Sequence, residues 1–115
     1  MRNIFLISPK RLSREDIRRF IIDRGGDWQS DPTLDQGVIE RGSAAVYISG
    51  DTELHSYLFE PDEIYELTRK IGSEPLSLVD IHISRGKASD TLADEIADQM
   101  LELWGGYIDQ NRPLE

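Results

Sequence analysis

The stretch Gly37-Val38-Ile39-Glu40-Arg41-Gly42-Ser43-Ala44-Ala45-Val46-Tyr47-Ile48-Ser49 reads as a β-hairpin. Two runs rich in branched and apolar side chains flank Gly42-Ser43, and a glycine leading a two-residue loop suits a type II′ turn. Closing the turn between Arg41 and Ala44 sets Ile39 opposite Val46 and brings Ile48 to the same face, so these three belong to a core. The hairpin supplies one antiparallel pair of the sheet on which the rest of the chain packs.

Downstream, Leu76 to Ile83 alternates Val79, Ile81 and Ile83 with Asp80, His82 and Ser84, the pattern of a strand with one buried face. Upstream, Asn3 to Ile7 reads as a first strand closed by Ser8-Pro9. Ser13 then caps a helix, with Asp16 three residues on as an acidic capping box and Leu12 and Ile17 as a hydrophobic staple. Ile17, Phe20 and Ile21 form its buried stripe, and Gly25-Gly26 ends it. Asp27 to Gln36 is polar and contains Pro32, so it reads as a loop anchored by Trp28. A second helix opens at Pro61, an N1 proline with acids in the first turn, and stops at Gly72; Ile64, Leu67 and Ile71 share one face. A third helix runs from Ser89 to Trp104 with Leu92, Ile96, Met100 and Leu103 as its inner stripe. Gly105-Gly106 ends it, and Tyr107-Ile108-Asp109 supplies a short last strand.

The order β-α-β-β-α-β followed by α-β predicts an α+β fold over residues 1–115 as a single domain. Its plan is the split βαβ, ferredoxin-like one: an antiparallel or mixed sheet with helices on one face, extended by the C-terminal αβ unit.

Composition narrows the function. The chain has 115 residues, no cysteine and a formal net charge of −9. Disulfides, thiolate metal sites and cysteine nucleophiles are excluded. The apolar run Ile4-Phe5-Leu6-Ile7 is shorter than a signal-peptide core or a membrane span, so the expected location is the cytoplasm and no membrane is a partner. Charge is unevenly placed: residues 1–24 carry seven basic and three acidic side chains, the remainder six basic and nineteen acidic. Such a body repels a phosphate backbone, which argues against duplex nucleic acid, and attracts a basic protein. The glycines form no phosphate-loop or dinucleotide fingerprint, and no cofactor is expected.

Two constellations carry imidazole chemistry. Asp80 and His82, at i and i+2 on one strand, share a face, so the carboxylate could orient the ring for general-base work. Their spacing of roughly 6–7 Å along the strand is long for a direct hydrogen bond, and no nucleophile besides Ser84 stands near in sequence. Asp51, Glu53 and His55 would share a face of an extended segment and supply divalent-cation ligands, although ligands so spaced diverge along a strand. The basic cluster Lys10, Arg11, Arg14, Arg18 and Arg19 reads as internal electrostatics, a positive helix packed in a negative protein.

The sharpest feature lies on the third helix. Asp90, Asp94, Asp98 and Glu102 follow one another at i+4, with Glu95 beside them. Like charges at that spacing cost about 0.2–0.5 kcal/mol per pair, and only the first turn gains from the helix dipole. A surface for a basic partner gives this ridge a purpose beyond solubility. The acidic helix leading into Trp104-Gly105-Gly106-Tyr107-Ile108-Asp109 resembles the C-terminal part of small bacterial proteins similar to immunity proteins of polymorphic toxin systems. The resemblance covers the last third of the chain and implies an acidic inhibitor that masks a cationic toxin. The leading expectation is therefore a protein-binding domain whose partner-binding residues are Asp90, Asp94, Glu95, Asp98 and Glu102. One alternative is a small hydrolase or metal-dependent enzyme built on His82 and Asp80, or on His55, Asp51 and Glu53. Another is a homodimeric structural protein that pairs a sheet face or edge with its copy.

Overall fold

Four consecutive apolar residues, Ile4-Phe5-Leu6-Ile7, are all buried in the computed structural model, and they organise the molecule. In a strand neighbouring side chains point to opposite faces, so such a run needs cover on both sides. The structure describes residues 2–31, 34–54 and 59–110. Over these, the elements are β1 (Arg2–Ser8), α1 (Arg14–Asp23), β2 (Asp27–Asp31), β3 (Leu34–Arg41), β4 (Ala44–Ser49), α2 (Pro61–Ile71), β5 (Ser77–Ile83), α3 (Lys87–Trp104) and β6 (Tyr107–Asp109). The strands form one sheet in the order β2-β3-β4-β5-β1-β6, and every neighbouring pair is antiparallel.

The α+β class, the antiparallel sheet and its C-terminal αβ extension match the sequence reading. The hairpin register does too: Arg41 faces Ala44, Ile39 faces Val46, and Gly42 takes φ +65° at the turn. So does the start of α1, where Asp16 N–H donates to Ser13 Oγ at 3.1 Å and Ser13 N–H donates to Asp16 Oδ2 at 2.8 Å.

The helices, however, do not share one face. Ile4 and Leu6 of β1 join Val79, Ile81 and Ile83 of β5 in a core covered by α1 and α3. Phe5, Ile7 and Leu78 face the other way and meet Leu67 of α2 in a second, smaller core. The double burial of β1 demands this cover, and it departs from a ferredoxin-like plan. All but Leu67 of the expected core residues Ile17, Phe20, Ile39, Val46, Ile48, Leu67, Val79, Ile81, Ile83, Ile96 and Met100 sit in the larger core.

Three other expectations change. Within the expected loop Asp27 to Gln36, residues 27–31 and 34–36 are strand: β2 pairs Trp28 with Gly37 and Gln29 with Gln36. It is an end strand, so its backbone pairing carries it and its side chains need no apolar alternation; Trp28 packs against the larger core as predicted. The third helix starts two residues before Ser89, with Gly86 at the N-cap; Ser89 is buried and its Oγ accepts the Ala45 N–H at 3.1 Å, tying α3 to β4. Leu103 is 55 % exposed, because Trp104 takes the inner position and packs on Phe20 with ring centroids 5.3 Å apart. The apolar run Tyr57-Leu58-Phe59 suggests an extended segment by its sequence, but Tyr57 and Leu58 lie outside the described residues.

Candidate functional site

Helix α3 presents the predicted acidic ridge, but the fold neutralises its N-terminal half. Arg2, at the start of β1, places Nη1 2.8 Å from Asp90 Oδ1 and Nη2 3.6 Å from Asp94 Oδ1. Arg41, at the end of β3, reaches Glu95 with Nη1 2.6 Å from Oε2. Both arginines come from strand ends under the helix, so sequence spacing within the helix could not reveal them. Asp98 and Glu102 are exposed, and neither has an ion pair or hydrogen bond among the described residues.

They also lie towards the helix C-terminus, where the backbone carbonyls already present a partial negative charge, and no base stands in the last turn. Exposed Leu103 adjoins Glu102. On the β6 side the helix borders a hollow of about 460 Å³, with Asp94, Asp98 and Arg2 at its rim and Ala97, Leu101 and Ile108 among its lining. Of the five predicted partner-binding residues, the structure thus leaves Asp98 and Glu102 open and ties Asp90, Asp94 and Glu95 to the protein's own arginines.

Asp80 and His82 meet directly, contrary to the spacing argument. His82 Nε2 lies 3.2 Å from Asp80 Oδ2, because the two side-chain ends lean together though their backbones are a full repeat apart. Asn3, opposite His82 across the β1–β5 ladder, completes the group: its Nδ2 donates to Asp80 Oδ1 at 2.8 Å and lies 2.9 Å from His82 Nδ1. A neutral ring with its proton on Nε2 lets Nε2–H donate to Asp80 and Nδ1 accept from Asn3, whose Nδ2 also lies 3.3 Å from Nε2.

Asp80 is 8 % exposed and has His82 as its one ionic partner among the described residues. Its hydrogen bond raises the His82 pKa above the ordinary histidine value, against the opposing effect of burial. The Asn3 donor also opposes protonation, because a charged ring has no lone pair left at Nδ1. Both ring nitrogens lie within hydrogen-bond distance of protein groups, and the His82 side chain remains partly exposed. Nothing in the sequence singles out Asn3; its Oδ1 is buried with no hydrogen-bond partner among the described residues.

The remaining candidates resolve more simply. Glu53 N–H donates to Asp51 Oδ1 at 3.0 Å and Glu53 forms a β-bridge with Ser77, while His55 lies outside the described residues. Among the described residues no three His, Cys, Asp or Glu side chains gather to hold a metal ion. In the basic cluster, Arg14 grips both oxygens of Asp35 through Nε at 2.8 Å and lies 5.3 Å from the Trp28 ring centroid, and Arg18 reaches Glu15 at 3.3 Å. The Arg14 hydrogen bond holds the Asp35 carboxyl below its usual range. For these two arginines the internal-electrostatics reading stands. No helix of the described residues is long and apolar enough to cross a membrane. Comparison with protein-family models, with curated proteins and with solved structures gives no match, so the chemistry of these surfaces is what speaks to function.

Proposed function

We propose that the protein is a cytoplasmic binding domain for a basic partner protein, docked on the C-terminal half of α3, and that its sharpest form is an immunity-type inhibitor masking a cationic toxin. One observation carries this reading. Asp98 and Glu102 stand exposed and, among the described residues, unpaired at the unfavourable end of a helix, beside the exposed Leu103 and a hollow with apolar side chains in its lining. Stability alone would place a lysine or arginine there. A partner's basic side chains would supply the missing positive charge, and Leu103 would give the interface an apolar anchor. Arg2 and Arg41 pair with the rest of the ridge.

The test is the product of a gene adjacent to this one, with association followed by stopped flow. Replacing Asp98 and Glu102 with lysine is expected to slow association several-fold, and wild-type association is expected to slow steeply as salt shortens the screening length to about 8 Å. Leu103→Ser is expected to speed dissociation instead. An unchanged association rate in the charge-reversed protein would refute the α3 site. A second reading, a hydrolase using His82 and Asp80, rests on their 3.2 Å contact. It requires His82→Ala to abolish activity while the fold survives.

A further inference from the structure

On the opposite side of the sheet from α3, the docking of α2 leaves a cleft of about 260 Å³ between that helix and β6. Phe59, Leu67 and Tyr107 give it apolar walls, and the same side chains pack on the smaller core. Carboxylates surround the opening: Asp62, Glu63 and Glu66 from the first two turns of α2, and Asp109 from β6. Glu63 is committed in part to the helix start, where it accepts the Glu60 N–H at 3.0 Å, and Glu66 lies 3.8 Å from Arg69. Asp62 makes no ion pair among the described residues.

One cation of the chain already samples this cleft. Lys70 Nζ stands 4.6 Å from the Tyr107 ring centroid and donates to Tyr107 Oη at 3.5 Å. Lys70 is exposed, so its long side chain can rotate away at little enthalpic cost and with a gain in rotamer freedom. An ammonium over an aromatic face is favoured by the ring quadrupole, more so with carboxylates nearby. A lysine or arginine side chain from outside fits the same features: its methylene stem covers Phe59 and Leu67, and its charged head meets Tyr107 and the acidic rim.

We infer that the α2–β6 cleft is a subsite for a lysine or arginine side chain of a polypeptide partner, held shut by Lys70 until that side chain displaces it. This deepens the reading of a basic partner and rests on it for its biological meaning, but it uses a surface separate from α3. The probes are blocked Gly-Lys-Gly and Gly-Arg-Gly tripeptides, with Gly-norleucine-Gly as the uncharged control, titrated into the isotope-labelled protein and followed by amide shifts.

The expected result is weak, saturable binding of the two charged peptides, with shifts centred on Leu67, Lys70 and Tyr107. Lys70→Ala is expected to tighten it several-fold, beyond any effect of Lys87→Ala, which removes the same charge at the start of α3. Asp62→Asn with Glu66→Gln is expected to weaken it several-fold. Equal binding of the norleucine peptide, or equal effects of the two lysine variants, would overturn the subsite. The α3 double-lysine variant separates the two sites. If it loses the partner yet still binds the tripeptides at the cleft, the subsite stands apart from the ridge; shifts centred on Asp98 and Ile108 instead would assign the peptides to α3 and refute the cleft.

Discussion

Gly106 joins α3 to β6, and replacing it with alanine tests whether that joint is as tight as it looks. The residue has φ +121°, and a Cβ there would run into the Ile7 carbonyl oxygen, with Ser8 Cα 3.0 Å away. The torsion alone costs about 1–3 kcal/mol for a residue with a side chain. Ile7 cannot retreat, because it is fully buried in β1 between β5 and β6. Relief must come from β6, whose ladder sets Phe5 against Asp109, Leu6 against Ile108 and Ile7 against Tyr107. Each hydrogen bond given up there costs about 1 kcal/mol net, so Gly106→Ala is expected to lose about 3 kcal/mol or more in total. In urea this moves the midpoint down by about 1–3 M, and the amides of residues 107–109 lose protection from exchange. Gly105→Ala is the internal control: Gly105 also has positive φ, +71°, but a Cβ there meets nothing within 4 Å. Its expected loss is the torsional cost alone. Equal losses for the two variants, or a Gly106→Ala midpoint within about 0.3 M of wild type, would refute the close packing of this joint.

Ile81→Asp is expected to abolish the fold, since Ile81 is fully buried in the larger core and an unpaired carboxylate there costs an amount comparable with the whole stability of a small domain; Ile81→Ala, expected to cost about 2–5 kcal/mol, gives a measurable melt if the aspartate variant does not express. A cooperative, near-wild-type melt of Ile81→Asp would remove β5 from the centre of the sheet. His82 gives a pH prediction. Its folded pKa is raised above the ordinary 6.5 by the Asp80 hydrogen bond, so the stabilisation is fully present below that value and is lost as pH rises through the raised one. An NMR titration of the His82 ring is expected to show a midpoint above 6.5 that falls in Asp80→Asn; a wild-type midpoint at or below 6.5 would mean that the Asn3 donor and burial outweigh the carboxylate.

What the sequence could tell depended on whether the signal was local. The Gly42-Ser43 hairpin and the Ser13–Asp16 cap are short-range patterns found as read, whereas the alternation of β5 locates the strand but predicts one buried face where the structure also buries Leu78 and Asp80 on the other. The run Ile4-Phe5-Leu6-Ile7 held the information that two layers of helices were needed, but an apolar run names no partners, and so α2 was assigned to the wrong side. Strand β2 was hidden because an end strand bears no hydrophobic alternation. At the site, the acidic spacing of α3 was plain, whereas Arg2 and Arg41 come to it only through the sheet. The Asp80–His82 contact was missed because a repeat distance along the backbone limits Cα atoms and leaves side-chain ends free to converge on a common partner, Asn3. The α2–β6 cleft could not be read before the side of α2 was known.

The position of β1 has a bearing on how the chain reaches this state. Strands β2, β3 and β4 each pair with a neighbour in sequence and can form their meander as soon as they are made. β1 is synthesised before all of them, yet its two partners are residues 77–83 and 107–109. Until both have left the ribosome, Ile4-Phe5-Leu6-Ile7 is a bare apolar β-segment with open edges, the kind of stretch that pairs with the wrong chain. Closure of so distant a contact also places the chain among the slower-folding topologies. Made before every other strand of the sheet, β1 is therefore among the last to be secured, and a nascent or truncated chain lacking β5 would have this apolar strand exposed to chaperones or to its own copies.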